Sequence, residues 1–222
     1  VLLLAGCAQA PDVAVSVYQT RSDVPLHRIE IQVRNDDDHA VTVHRAELVS
    51  TQLTQSPVWD EPVDIPVGAA MDLKVQLPPA LCTGEVRDEV VLTVDGGEMT
   101  VAADDRLGQL AAYRKTQCFS QLVQAAGDVR VTGLRGDRLQ FDTDVEIGSF
   151  GSTTLFVPTE LGSDSVRLTP NRCDAHALAE DKQGTYFPVA VTIDGRTGEY
   201  TIGVDPQLRN RLYALYARMC GL

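Results

Sequence analysis

What this chain lacks excludes several function classes before any motif is read. Only Lys74, Lys115 and Lys182 are lysine, and acidic side chains outnumber basic ones by 31 to 19. A formal net charge of −12 offers no positive surface of the kind a nucleic-acid backbone demands. It also makes an anionic membrane surface a poor electrostatic target, and it suits solubility. No stretch approaches the roughly 20 apolar residues of a spanning helix. Walker and dinucleotide fingerprints are missing, as are His-x-His and His-Glu-x-x-His, and three methionines are too few for a Met-rich copper site. The cysteines lack the close spacing of a zinc site. Gly148-Ser149-Phe150-Gly151-Ser152 fails the register of a nucleophile elbow and reads as a flexible turn. No catalytic residue and no cofactor is expected.

What is present is a cassette written twice. Residues 82–118 run from Cys82 through Val90-Val91-Leu92-Thr93-Val94, Asp95-Gly96, Met99-Thr100-Val101, Asp104 and Tyr113 to Cys118. Residues 173–220 repeat the order with Cys173, Val189-Ala190-Val191-Thr192-Ile193, Asp194-Gly195, Tyr200-Thr201-Ile202, Asp205, Tyr216 and Cys220. Val90, Leu92 and Val94 share one face by period-two alternation in a β-branched run, which predicts a strand with one buried face, and Val189, Val191 and Ile193 do the same. Asp-Gly then predicts a hairpin turn in each copy, slightly longer over Asp194–Gly198. Asp104 and Asp205 suit N-caps, with Pro206 in the first turn of the second helix. Leu107, Leu110, Ala111 and Cys118 follow a helical spacing, as do Leu208, Leu212, Leu215 and Met219. Phe119–Gly127 reads as a link between copies. Four cysteines allow three pairings, and the repeat favours Cys82–Cys118 and Cys173–Cys220.

Ahead of the first cassette lie alternating runs at Val13–Tyr18, Ile29–Val33, Val41–Val43, Ala46–Leu53 and Met71–Leu77, short strands separated by turn signals. Asn35-Asp36-Asp37-Asp38-His39 reads as a solvated hairpin turn. Asp36, Asp38, His39 and His44 are the candidate ligands should that turn hold a metal such as Ca²⁺. Trp59, the single tryptophan, is either a plug at the edge of a core or an exposed recognition anchor. Strands are also expected at Val129–Leu134, Leu139–Ile147 and Thr153–Val157. The expected organisation is residues 1–10 as an N-terminal processing segment, 11–122 as a first domain and 123–222 as a second.

Two resemblances add to this reading. Leu4-Ala5-Gly6-Cys7 after a leucine run resembles the lipobox of bacterial lipoproteins. That resemblance implies a signal peptide cut before Cys7, and a lipid on Cys7 that holds the chain at the extracytoplasmic face of the cell membrane. Two acyl chains suffice for stable anchoring, and four remaining cysteines fit two disulfides in an oxidising compartment. Val33-Arg34-Asn35 followed by Val41-Thr42-Val43 looks like the early hairpin of immunoglobulin-like and fibronectin-type domains. The expected fold is therefore mainly β: two tandem immunoglobulin-like β-sandwich domains, each ending in a short disulfide-pinned α-helix. The expected function is non-enzymatic, a protein–protein interaction or assembly module with an extracytoplasmic or membrane protein as partner. A small-ligand or metal-ion-binding lipoprotein is the alternative.

Overall fold

The computed structural model describes residues 10–181 and 186–222, so Cys7 and its expected lipid lie outside the described residues. The protein is mainly β, and its strands pair antiparallel throughout. It divides into two compact units, Val1–Gln117 and Cys118–Leu222.

In the first unit, β1 (Val13–Tyr18), β2 (Arg28–Asn35) and β6 (Ala70–Gln76) form one sheet in the order β1-β2-β6. The other contains β3 (Val41–Ser50), β4 (Val58–Trp59), β5 (Val63–Ile65), β7 (Asp88–Val94) and β8 (Gly97–Ala102). Their buried faces follow the alternation in the sequence. Ile29, Ile31, Val33 and Leu73 line one sheet and Val43, Leu48, Val90 and Leu92 the other, all at most 0% exposed. Each such side chain contributes about 1.5–3 kcal/mol relative to leaving it in water. The result is a sandwich-like pair of sheets.

The second unit has the order β12-β13-β10-β9 in one sheet and β11-β14-β15 in the other. These are β9 (Val129–Arg135), β10 (Arg138–Thr143), β11 (Glu146–Phe150), β12 (Phe156–Leu161), β13 (Ser165–Pro170), β14 (Phe187–Ile193) and β15 (Arg196–Ile202). Phe156, Phe187, Leu139 and Val189 are fully buried between elements. The α-helices among the described residues are α1 (Gln109–Ala126), α2 (Ala175–Glu180) and α3 (Pro206–Cys220).

Both hairpin-plus-helix segments form, with differences from the sequence reading. The second hairpin turn is two residues, because Ile193 pairs with Arg196 and Asp194 and Gly195 both take positive φ, 50° and 73°. That conformation matches strand twist without a longer loop. Asp205 caps α3 by accepting the Leu208 amide at 2.8 Å, with Pro206 behind it. At α1 the capping carboxylate is Asp105, which accepts from the Gln109 and Leu110 amides at 2.8 and 3.0 Å. Asp104 instead exchanges backbone hydrogen bonds with β1, donating to Val15 and accepting from Val17. Leu107 precedes the helix and is 75% exposed, so it is no core residue. The expected link at Phe119–Gly127 is helical to Ala126, and Cys118 lies midway along α1.

Gly127 ends that helix at φ +140°, where an added Cβ would stand 2.4 Å from the Asp144 Cβ. Both strain and overlap oppose any side chain, at on the order of 2–3 kcal/mol. Gly127→Ala should therefore lower the unfolding free energy by about that much in urea titrations, and an unchanged midpoint would contradict this packing.

Two disulfides are present. Cys173 and Cys220 are joined, and Cys82 and Cys118 are both disulfide-bonded. Beside the first bridge, buried Tyr216 donates its hydroxyl to the Arg172 carbonyl at 2.5 Å. One helical turn separates Tyr216 from Cys220, so two side chains on one face tie α3 to the same segment. In the first unit, Tyr113 on α1 similarly donates to the Pro78 carbonyl at 2.9 Å.

The turn at Asn35–His39 is not a hairpin. β2 pairs with β1 and β6, whereas β3 pairs with β4, β5 and β7, so the chain crosses between sheets there. Asn35 anchors the crossing. It is 0% exposed, and its amide donates to the His39 carbonyl and to the Ile65 carbonyl, both at 2.9 Å. Val41–Val43 and Ala46–Leu53, read separately from the sequence, are largely one strand with a register shift between Val43 and Arg45. Gly148–Phe150 likewise stays within β11, through a shift between Ile147 and Ser149.

Candidate functional site

The acidic turn assembles differently from the set Asp36, Asp38, His39 and His44. Asp36 is held by Arg34 through two contacts of 2.8 Å, and that guanidinium keeps its carboxyl below the usual range. His44 faces Asp95 at 2.7 Å. The group that converges is Asp37, Asp38 and His39, with potential ligand atoms within 4.8 Å of one another. Those atoms already have partners. Asp37 accepts from the Asp12 and Asp38 amides at 2.9 and 2.7 Å, which lower its pKa. His39 Nδ1 lies 3.1 Å from Asp38 and 2.8 Å from Asp37, and its pKa rises chiefly through the Asp38 hydrogen bond. Turn closure accounts for this trio. Trp59 is half-buried on β4, opposite Ala46, and its indole donates to the Glu61 carbonyl at 2.7 Å. It fits the edge-of-core reading.

The most elaborately built feature is one the sequence did not single out, the loop from Gln19 to His27 between β1 and β2. Gln19 and Gln109 exchange hydrogen bonds, the Gln19 amide reaching Gln109 Oε1 at 2.6 Å and Gln109 Nε2 reaching the Gln19 carbonyl at 2.9 Å. Gln76 Nε2 donates to the Leu26 and His27 carbonyls at 2.8 and 2.9 Å. His27 takes a left-handed φ of 50°, and its ring meets Tyr113 edge-on with centroids 5.7 Å apart.

Beneath the loop sits Asp23, 0% exposed. It accepts the Thr20 amide at 2.9 Å and the Thr20 hydroxyl. Its Oδ1 lies 3.6 Å from both Arg28 Nε and Lys74 Nζ. Lys74 also contacts Glu30 at 2.9 Å, and Glu30 is 4% exposed. Glu30 and Lys74 face each other across β2 and β6, while Tyr18 faces Glu30 from β1. Burial pushes Glu30 up, partly offset by Lys74. Burial would also raise Asp23, but the Thr20 hydrogen bonds and Lys74 outweigh it and hold Asp23 low. Tyr18 is pushed up to about 12 by burial and by its hydrogen bond to Asp72.

A phenol near 12 stays protonated at neutral pH and an Asp held low stays ionised, while Glu30 is the carboxyl of the cluster pushed upward. Two carboxylates and two cations lock the loop onto the sheet. The loop carries Val24 and Leu26 at its tip, 54% and 52% exposed. Two buried carboxylates with two half-exposed cations thus brace a loop whose apolar tip faces solvent. The available sequence signal was Asp23-Val24-Pro25 at the start of a 3-10 turn (Val24–Leu26), but burial of Asp23 depends on Lys74, far along the chain.

No protein-family model matches the chain, and no curated protein does. Among solved structures, red sea bream transglutaminase aligns at 8% identity and a TM-score of 0.29, over 89% of this chain and 32% of that one. The chain therefore spans about a third of that protein's length. The CsuC–CsuE chaperone–tip adhesion subunit complex of Acinetobacter baumannii aligns at 7% and 0.22, over 85% and 98%. Spo0M, a sporulation control protein from Bacillus subtilis, aligns at 11% and 0.24, over 95% and 99%. Similarity this low carries no functional argument.

Proposed function

We propose that the protein is a lipid-anchored extracytoplasmic interaction module, built from two immunoglobulin-like sandwich modules and held at the membrane through Cys7. The observation that carries the interaction reading is the braced β1–β2 loop. Loops mounted on a rigid sheet are the usual carriers of recognition, and fixing a loop beforehand removes part of the ordering cost of binding. Here Asp23, Gln19 and Gln76 fix the backbone while Val24 and Leu26 face solvent. The two disulfides support the compartment, since such bonds persist in oxidising surroundings. Among the described residues no helix is long and apolar enough to cross a membrane, and the lipobox-like Leu4-Ala5-Gly6-Cys7 supplies the means of attachment.

The reading predicts that Val24→Asp with Leu26→Asp abolishes partner recovery in affinity purification from the native host. Val86→Asp, at an exposed position on the same unit, should leave recovery intact. Both substitutions fall on exposed side chains, so thermal unfolding should change little. Equal recovery with the double variant would remove the loop from the interface.

A further inference from the structure

We infer that the second unit carries an oxyanion site, formed by Arg211 and Arg218 of α3 against the β9–β10 turn, that takes a phosphate group. The inference is independent of the interaction reading above.

A concavity of about 260 Å³ is lined by Leu134, Gly136, Arg211, Ala214 and Arg218. Arg211, Ala214 and Arg218 recur at three and four residues, so they share one face of α3, and all three are exposed. The small Ala214 between two long side chains leaves the hollow open. Arg211 donates through Nη2 to the Leu134 carbonyl. That bond fixes one guanidinium across the hollow and leaves its remaining N–H groups for a ligand.

Charge points the same way. Two arginines of β10 and β13 are neutralised: Arg138 by Glu160, and Arg167 by Asp137 and Glu160. Asp137, which sits in the turn beside Gly136, is thereby engaged at 3.3 Å by Arg167 and turned to that partner. Among the described residues neither Arg211 nor Arg218 has a carboxylate within ion-pair distance. Two guanidiniums therefore line one hollow with no carboxylate paired to either among the described residues.

The ligand class follows from the geometry of the pair. Seven residues place the two Cα atoms about 10 Å apart along the helix axis, within the reach of two converging arginine side chains. A group with oxygens on several faces can occupy both planar forks at once, which suits phosphate. A phosphate ester in solution and the headgroup of an anionic phospholipid share this chemistry.

The test uses the purified chain and two probes. Inorganic phosphate, followed by amide resonances, should shift Leu134–Gly136 and Arg211–Arg218 saturably. Vesicles of phosphatidylglycerol, set against vesicles of phosphatidylcholine, should report a headgroup by co-sedimentation. Arg211→Gln and Arg218→Gln should each weaken whichever binding is seen by roughly tenfold or more, as expected when a charged hydrogen bond is lost. The Lys pair, R211K with R218K, should restore only part, because it keeps charge without the fork. Binding of phosphate alone identifies a soluble ligand, and binding of phosphatidylglycerol alone a lipid. No saturable binding of either probe, or binding undiminished in R211Q/R218Q, would overturn the site.

Discussion

Replacing Cys173 and Cys220 by serine should lower the unfolding free energy of the second unit by about 4 kcal/mol. The bridge spans 47 residues, and closing a loop of that length in the unfolded chain removes about that much in the chain-entropy model. Part of the native attachment survives without it. Tyr216 still donates to the Arg172 carbonyl, and Leu208, Leu212 and Leu215 remain buried, so α3 keeps its packing face. The loss should therefore act on the equilibrium rather than on the fold, with native far-UV spectra and a lower urea midpoint. Hydrogen exchange at the Leu212 and Leu168 amides would read the change within the second unit. A shift below about 1 kcal/mol would mean that the unfolded chain keeps the two segments together unaided.

Asp23→Asn should cost the first unit about 3 kcal/mol, the lower end of the range for breaking a buried ion pair. The lower end applies because Arg28 and Lys74 are 32% and 40% exposed, so both cations regain some water. Trp59 lies in the same unit and supplies the fluorescence readout for urea titration. The pH dependence has a defined sign. The folded state lowers the Asp23 pKa, so its contribution is complete above the unfolded value and lost as pH falls through the lower folded value. Glu30 is raised and acts oppositely: its ionisation in the folded state opposes folding as pH rises from the unfolded to the raised value. The variant should thus show a shallower acid limb below the ordinary Asp range of about 3.9. Glu30→Gln should flatten the weakly acidic region above it. An unchanged acid limb in Asp23→Asn would show that Asp23 is not the group that titrates.

How far the sequence carried depends on whether a feature is local. Val90, Leu92 and Val94 alternate against solvent-facing neighbours within one strand, and their burial was legible from that period alone. Asp205 and Pro206 mark the start of α3 within two residues. The Asn35–His39 turn was misread because a hairpin and a crossover between sheets have the same local composition. What separates them is the Asn35 amide reaching Ile65, 30 residues away. Asp105 displaced Asp104 as the α1 cap because Asp104 was drawn into pairing with β1. The α2 helix in the loop after Cys173 was missed too, although Asp174 accepts the Ala177 amide as an N-cap. The candidate site was the least legible part. Its loop looks like an ordinary connection in the sequence, and only the fold brings Lys74, Glu30 and Gln76 beneath it. Arg211 and Arg218 show their helical spacing in the sequence, but the hollow between them depends on the β9–β10 turn.

In the function proposed above, the Val24–Leu26 tip meets a partner at the membrane. A photo-crosslinking amino acid placed at Leu26 in the full-length protein, expressed in the native host, tests it most directly. One reproducible adduct with an extracytoplasmic or membrane protein is expected, absent when the probe is moved to Val86 and lost when Cys7 is replaced by serine. The same adducts from Leu26 and Val86, or a Leu26 adduct that survives Cys7→Ser unchanged, would contradict it.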